Sequence, residues 1–573
     1  MKSFFSFKDV FRPKLFETLR GYTKQRLLQD ALAGWIVGVI AIPLAIAFGI
    51  ASGVGPAEGL ITAIIAGFII SAFGGSKVQI GGPTGAFIVI IYGIIQQHGL
   101  TGLLIATIMA GILLILMGVF KLGNIIKFVP YPVIVGFTAG IALTIFSTQM
   151  NDLFGMNIQG VPADFIDKWV CYAEHIKDIN WWAFAVGAVS LAILIFLPRL
   201  SKKIPASLVA IIVMTLITWL LRRFAGVDSI LTIGDLYTIP SGIPAPHLPS
   251  FELADGETFW SLVKSLFPAA FTIALLGAIE SLLSAMVADG VIGDRHNSNT
   301  ELIAQGMANV VVPFFGGIPA TGAIARTMAN INNGGKTPVA GIVHALLLLA
   351  VLLFFGPLVA LIPMACLAGI LIMVSYNMSE FRSIMWLAKN PKSDFIVMLV
   401  TFILTVLFDL TIAIEVGLLL AIILFLKRTN ESTTVQSFTN ELDPTHNNDI
   451  QLHGQDLESL KIPPFTEVYE IDGPYFFGIA NKFDDISRRT HSGEQKVRVI
   501  RMRKVSFIDS TGIHNLEQLH LRLQRDGIQL VLSGVNEKVF QTLDKAGLVN
   551  KIGRENVLSH INAALARAAE LVK

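Results

Sequence analysis

Cysteine and charge are both scarce in this sequence. Two cysteines, Cys171 and Cys366, occur among 573 residues. They are isolated from each other, which leaves no basis for a disulfide framework or a cysteine-based metal site. Charged residues amount to 15%, against roughly 25% in soluble domains, so an ordinary cytosolic enzyme is excluded. No phosphate-binding glycine loop of the Walker type is present, which removes ATP-driven pumping. His, Cys and Asp spacings give no metal cluster, and no nucleophile stands beside an oriented base, so neither a cofactor nor catalysis is expected. The net charge of +2 gives no reason to expect a nucleic-acid partner.

What is present is apolar: 53% hydrophobic residues and a mean hydropathy of +0.66. Of the 84 charged residues, 36 fall between Ala31 and Leu426 and 48 in the remaining 177 positions. The division predicts a cytoplasmic N-terminal segment (1–30), a membrane transport domain (31–427), a polar flexible linker (428–460) and a soluble domain (461–573). Seven Lys and Arg in the first thirty residues lead into a full-length apolar segment, not a cleavable signal peptide.

Fourteen apolar stretches are candidate spans: 31–52, 57–73, 84–98, 101–120, 131–150, 181–198, 204–221, 262–288, 299–315, 321–332, 338–355, 357–375, 393–409 and 411–426. Two of them, 84–98 and 321–332, are too short to cross roughly 30 Å of hydrocarbon as helices. Basic residues orient the chain. With the N-terminus inside (Lys2, Lys8, Arg12, Lys14, Arg20, Lys24, Arg26), an alternating path also places Lys121, Lys127, Arg199, Lys202, Lys203, Lys336, Arg382, Lys389, Lys392, Lys427 and Arg428 inside. The segment from Phe224 to Val263 has acids (Asp228, Asp235, Glu252, Asp255, Glu257) and no Lys or Arg, as an outside loop does. Arg222 and Arg223 fit this scheme less well. Both termini are then cytoplasmic. In the last third, strands are predicted at Thr466–Ile471, Val497–Met502 and Gln529–Leu532, and helices at Asn515–Arg525, Glu537–Ala546 and Ala563–Val572, a small α/β domain.

An internal echo is the most informative feature. Phe73-Gly74-Gly75 precedes Pro83-Thr84-Gly85-Ala86, and Phe315-Gly316-Gly317 precedes Pro319-Ala320-Thr321-Gly322-Ala323. Upstream, Ala51-Ser52-Gly53-Val54 echoes in Ala288-Asp289-Gly290-Val291. The offset is 237 residues at both places, and it pairs Pro43 with Glu280. Paired short, Gly/Pro-interrupted segments in two halves point to a transporter substrate site. Irregular backbone survives at membrane depth only where it is buried or lines a cavity. Each half-helix start then presents free N–H groups, equivalent to roughly +0.5 charge, to an anion. The bland alternative is a pair of tight turns between ordinary helices.

Ionisable residues inside apolar spans are functional candidates. Glu280 lies mid-span, and Arg326 lies one turn into the second half-helix. Asp409 and Glu415 read as structural, His344 as a packed histidine and Lys264 as snorkelling outward. Two helix starts and Arg326 together give roughly +2 charges. An ionised Glu280 lowers the sum to suit a monoanion, and a protonated one leaves it to suit a dianion. Glu280 is therefore the candidate site for a coupling H+ or for Na+.

These residues resemble the sulfate permease family, solute carrier family 26. The likeness rests on Ile42-Pro43-Leu44-Ala45, Gly82-Pro83-Thr84, Phe315-Gly316-Gly317 and Ala325-Arg326-Thr327. The segment Val505-Ser506-Phe507-Ile508-Asp509-Ser510-Thr511-Gly512-Ile513 is similar to a STAS domain. The resemblance implies a polytopic α-helical membrane protein of fourteen transmembrane segments in a 7+7 inverted repeat. A core domain (spans 1–4 and 8–11) would move against a gate domain (spans 5–7 and 12–14), with a cytoplasmic STAS domain attached. It implies an anion site between the starts of spans 3 and 10, made by Ile42, Ala45, Gly85, Ala86, Phe87, Ala325, Arg326 and Thr327 with Glu280 nearby. It further implies a homodimer in a bacterial inner membrane that carries sulfate, bicarbonate, chloride, oxalate or C4-dicarboxylates by H+ or Na+ symport or by exchange. Gly277-Ala278-Ile279-Glu280-Ser281-Leu282-Leu283 and Asn377-Met378-Ser379-Glu380 are similar to bacterial C4-dicarboxylate carriers. In related regulatory STAS proteins a serine of this turn is phosphorylated. Ser510 and Thr511 are the corresponding hydroxyls here, with an ordinary helix cap as the plain alternative, and a cytoplasmic STAS partner is a further expectation. Competing readings are a nucleobase–cation symporter of the same fold, a STAS-linked membrane sensor and an anion channel.

Overall fold

Length and capping set the first long helix. Thr23 accepts the Arg26 N–H at 3.3 Å, and α1 runs from Lys24 to Ala51 with Pro43 buried inside it. At 1.5 Å per residue its 28 residues reach about 42 Å, enough to cross a bilayer obliquely. Pro56 opens α2 (Pro56–Phe73) at a first-turn position where its missing N–H costs nothing. The chain then forms a two-residue strand, β1 (Gly81–Gly82), a 3-10 turn (Gly85–Phe87) and α3 (Ile88–Val119). Gly99, at φ 66° and ψ −171°, breaks α3 where the sequence separates 84–98 from 101–120. The helices α4 (Tyr131–Thr148), α5 (Trp181–Leu200), α6 (Ala206–Ala225), α7 (Phe259–Ile292) and α8 (Ser298–Val311) follow. The second half continues with β2 (Thr321–Gly322), α9 (Ile324–Asn332), α10 (Val339–Phe354), α11 (Met364–Met378), α12 (Lys392–Leu407) and α13 (Leu410–Ser432).

The computed structural model describes residues 10–124, 129–162, 164–200, 205–239, 242, 244–246, 258–408, 410–438, 441–442, 460–478 and 495–573. Lys2, Lys8, Lys127, Lys202, Lys203, Glu252, Asp255, Glu257, Asp409 and positions 443–459 of the expected linker lie outside them. Two compact units divide the chain, Met1–Ala421 and Ile422–Lys573. Among the described residues, eight helices are long and apolar enough to cross a membrane by length and composition.

Two expectations need correction. The stretch 357–375 is not one helix. Pro363 stands just before α11, and a separate turn, Gly356–Val359, precedes it. The linker does not begin at 428. Helix α13 continues to Ser432, and β3 (Thr434–Phe438) pairs antiparallel with a buried strand of the soluble unit. Backbone pairing at a sheet edge wins over the polar composition from which a loop was expected.

Packing in the membrane unit is reciprocal. The helix α3 lies against α7 and α8, and α10 lies against α1 and α2. Likewise α4 packs on α12, and α11 packs on α5. Exchanging the halves maps each contact onto its counterpart, as an inverted repeat requires. Arg222, anomalous by charge alone, pairs with Asp235 and donates to the Ile230 carbonyl at 3.1 Å. The positive charge is met locally.

In the soluble unit, β6 (Thr466–Asp472), β7 (Val497–Lys504), β8 (Gln529–Ser533) and β9 (Val557–Leu558) form a sheet in the order β3-β6-β7-β8-β9. The pairs from β6 to β9 are parallel. A second, two-stranded pair joins β4 (Glu441–Leu442) to β5 (Leu460–Lys461). Helices α14 (Ser510–Arg525), α15 (Glu537–Lys545), α16 (Leu548–Ile552) and α17 (Ile561–Val572) complete the unit. Both faces of β6 are buried, yet it carries Glu467 and Glu470. Each stands in register with an arginine of β7, Arg498 at 2.7 Å and Arg501 at 3.5 Å, so neither charge is buried alone.

Candidate functional site

The two irregular segments of the echo meet. Gly81 pairs with Gly322 and Gly82 with Thr321 in an antiparallel bridge. Two segments related by an axis in the membrane plane must run antiparallel, so the bridge is where the halves join. Glycine is required here by close approach. A side chain on Gly82, at φ +147°, would strike the Arg326 guanidinium, and one on Gly322 would strike the Gln79 amide. Beyond the bridge the chain turns into two short helical pieces. One runs from Ile88 to the break at Gly99 and the other is α9. At 1.5 Å per residue they span about 16 and 14 Å, half of a bilayer's hydrocarbon.

Each segment is pinned by the opposite repeat. On α8, the buried Glu301 carboxylate accepts the N–H groups of Gly75 (2.8 Å) and Ser76 (3.1 Å), ahead of β1. It also accepts the side-chain amides of Gln79 (3.0 Å) and Gln305 (2.9 Å). On α2, the buried Thr62 hydroxyl accepts the Ile318 N–H at 2.8 Å, ahead of β2. Asn309 clasps the backbone of Ala320 from both sides, at 2.8 Å each. Thr327 is tied in by bonds from the Ile80 N–H (3.1 Å) and the Ser284 hydroxyl (3.2 Å). The Thr321 hydroxyl donates to the Gly277 carbonyl on α7 at 3.0 Å.

Arg326 is 3% exposed, so it does not snorkel. Its guanidinium donates to the carbonyls of Gly81 and Pro83, spanning from α9 to the segment that starts the other half-helix. Glu280 faces the Thr84 hydroxyl and, across a gap longer than an ion pair, the Arg326 guanidinium. Thr84 caps the 3-10 turn before α3 by accepting the Ala86 N–H. The carboxylate thus stands between the residues that begin the two half-helices.

A cavity of about 100 Å³ reaches this point, walled by residues of α4, α7 and α13. Glu280 and Ile324 line it together with Glu380, in an otherwise largely apolar wall of residues such as Phe137, Leu283 and Leu418. Ile324 is 42% exposed and Ala325 is also exposed, so the α9 start is open. The other start is closed. Gly85, Ala86 and Phe87 are buried, with Met378, Ile145 and Phe48 packed around Gly85. Ala45 is buried and Ile42 half-buried. None of these five lines the cavity. The structure therefore brings Glu280, Arg326, Thr327 and the α9 start together. The residues from α1 and the α3 start lie behind them in the same core.

Sequence reasoning missed the pins: Thr62, Gln79, Ser284, Glu301 and Asn309. Polar residues inside apolar stretches were the available signal, and Glu301 was obscured by its place near a helix start. His344 is fully buried, as expected.

The comparisons agree with this architecture. The Sulfate permease family model matches residues 27–401 and the STAS domain model residues 459–568. YvdB of Bacillus subtilis, provisionally named a sulfate transporter, is 41% identical over 544 residues, 94% of this chain and 98% of its own length. The bicarbonate transporter BicA of Synechocystis is 32% identical over 488 residues, 83% of this chain and 82% of its own. The inward-facing structure of the murine Slc26a9 anion transporter shares the fold with a TM-score of 0.86 at 19% identity, covering 100% of this chain and 96% of that one. The chain belongs to the sulfate permease family and carries a C-terminal STAS domain.

Proposed function

We propose that this membrane transporter moves a small oxyanion, sulfate or bicarbonate, by alternating access, with a C4-dicarboxylate as the next candidate. The observation that supports this reading is the meeting of two half-helix starts with Arg326 and Glu280 between them. The positive ends of the two half-helices and the guanidinium favour an anion, and Glu280 sets the net charge it meets. The substrate-binding set is Ile42, Ala45, Gly85, Ala86, Phe87, Ala325, Arg326 and Thr327. The cavity at Glu280 leads to the α9 start, and the Lys/Arg pattern orients that side toward the cytoplasm. Ile42 and Ala45 of α1 and the buried α3 start would contribute when the core shifts against the gate helices.

Glu280 is the coupling group in this reading. A proton or Na+ on its carboxylate cancels one negative charge, so cation and anion bind cooperatively. Fourteen membrane segments, both termini in the cytoplasm, a homodimer in the bacterial inner membrane and a STAS partner complete the proposal. The names of the relatives favour an anion over a nucleobase, and no output chemistry favours a sensor.

Uptake of labelled sulfate, bicarbonate and succinate into proteoliposomes, under imposed pH and Na+ gradients, tests it. One anion should accumulate with one gradient, and Glu280→Gln should transport without that gradient dependence. Absence of uptake of all three by folded, inserted protein would overturn the proposal.

A further inference from the structure

A second carboxylate stands in the cavity that reaches Glu280. Glu380 lines it together with Glu280 and Ile324. Among the described residues, Thr138 is the one other polar side chain in the wall, and its hydroxyl donates to the Ile134 carbonyl at 3.0 Å. No described Lys or Arg lines the cavity. Glu280 is half-buried and Glu380 exposed, so the first marks the floor and the second the mouth. Arg382, Lys389 and Lys392 follow Glu380 in the chain and orient the mouth toward the cytoplasm.

The turn itself does not need this residue. Glu380 lies between α11 and a short helix (Phe381–Leu387), with left-handed backbone at φ 43° and ψ 43°. Glycine adopts that conformation freely, whereas a residue with a side chain is disfavoured there. The carboxylate is nevertheless held in place. It accepts the Ser383 hydroxyl at 2.9 Å, and the Ser383 oxygen accepts the Tyr131 hydroxyl of α4 at 2.8 Å. Among the described residues no cation stands within ion-pair distance of it. Glu380 follows α11, on the gate side of the proposed movement, whereas Glu280 and Arg326 belong to the core. An anion at the α9 start therefore feels Glu380 only while the core faces this cavity.

We propose that Glu380 is a release residue: its charge lowers the affinity for the anion on the cytoplasmic face, more for a dianion than for a monoanion, and so favours discharge into the cell. The inference rests on the transport reading above. It gives Glu380 no part in binding the coupling cation, so the two glutamates divide the work, Glu280 setting the charge of the site and Glu380 the charge of its exit.

Labelled sulfate, bicarbonate and succinate, offered to inside-out and right-side-out membrane vesicles that carry the full-length protein, read the two faces separately. Two unit charges about 4 Å apart in a water-like medium repel by about fivefold in affinity. Glu380→Gln, which can still accept from Ser383, should therefore lower the KM on the cytoplasmic face about fivefold for bicarbonate and about twenty-five-fold for sulfate or succinate. The external KM should move less than about twofold, and the dependence on the coupling gradient should stay as in wild type. The cytoplasmic shift should shrink as ionic strength rises from about 0.01 to 0.1 M, because the screening length falls from about 30 to 10 Å. Ser383→Ala keeps the charge and loses only the bond, so its cytoplasmic KM should stay within about twofold of wild type. Equal cytoplasmic KM for Glu380→Gln and wild type, a shift that ignores ionic strength, or the same shift in Ser383→Ala would each overturn the proposal. Wild type that carries none of the three anions would overturn the transport reading and this inference with it.

Discussion

Glu301 offers a test of how the two halves are held together. Its carboxylate accepts four hydrogen bonds, two from backbone N–H groups and two from glutamine amides. Bonds to a charged acceptor are worth about 1.5–3 kcal/mol each, against about 1 kcal/mol for neutral pairs. In Glu301→Gln the amide oxygen can keep Gly75 and Ser76, at a loss of about 1 kcal/mol apiece. The new NH2 then faces two donors, Gln79 and Gln305. The Gln305 amide can turn over freely, because its oxygen has no partner. Turning Gln79 gives up its bond to the Ser281 carbonyl at 3.1 Å, about 1 kcal/mol more. The substitution should therefore cost about 2–4 kcal/mol and slacken the loop leading to β1. Glu301→Ala leaves the Gly75 and Ser76 N–H groups and the Gln305 amide without their acceptor, and Gln79 with only Ser281, so its cost approaches the whole stability of about 5–15 kcal/mol. Unfolding in mixed detergent micelles should give the first value, with reduced uptake, and little folded protein for the second. A Glu301→Gln protein within about 0.5 kcal/mol of wild type would refute the reasoning.

Gly322→Ala places a methyl group inside the Gln79 side chain, so transport should fall to background while the protein still inserts, at a cost of about 1–3 kcal/mol. Uptake and thermal unfolding measured together check this, and wild-type transport would contradict it. At Asp235, burial works to raise the carboxyl, but the Arg222 guanidinium and the Thr232 N–H and hydroxyl outweigh it and hold it below the usual range. A depressed carboxyl adds stability above its unfolded value of about 4 that is lost as pH falls through the folded value. Asp235→Asn should then melt below wild type at neutral pH and approach it toward about pH 3; a pH-independent difference would remove the ion pair as its cause. Ser510 and Thr511 are exposed at the start of α14, where Asp509 caps the helix through the Gly512 N–H at 2.8 Å. Phosphate on either hydroxyl should be seen by mass spectrometry of protein from growing cells; its absence under every condition leaves the turn as a cap.

Much of the fold was legible because the membrane imposes it. Long apolar runs, basic flanks and the repeated Gly/Pro segments each report a single physical requirement. From them α2 and α7 follow with small errors at their ends, while α1 begins at Lys24, two turns before the expected span. The break at Gly99 was legible for the same reason. Errors arose where a local rule lost to tertiary contact. The strand Thr434–Phe438 looks like linker until β6 offers an edge to pair with. The site was legible in part. Arg326 and Glu280 stand out as charges in apolar surroundings, but their supports do not. Thr62, Gln79 and Asn309 act through bonds to chain more than 200 residues away, or to a loop eleven residues on, and a single sequence holds no sign of those partners. Nor does it show that the α9 start is open while the α3 start is packed shut.

The central claim is that the anion is held by the half-helix starts and Arg326. Its most direct test is uptake of the accumulated anion by Arg326→Ala and Arg326→Lys proteoliposomes, with thermal unfolding as the folding control. The account predicts that Arg326→Ala abolishes uptake. It predicts that Arg326→Lys, which keeps the charge but cannot reach both carbonyls, retains only a small fraction with a raised KM. Uptake by folded Arg326→Ala at the wild-type rate and KM would contradict the account and move the substrate away from this site.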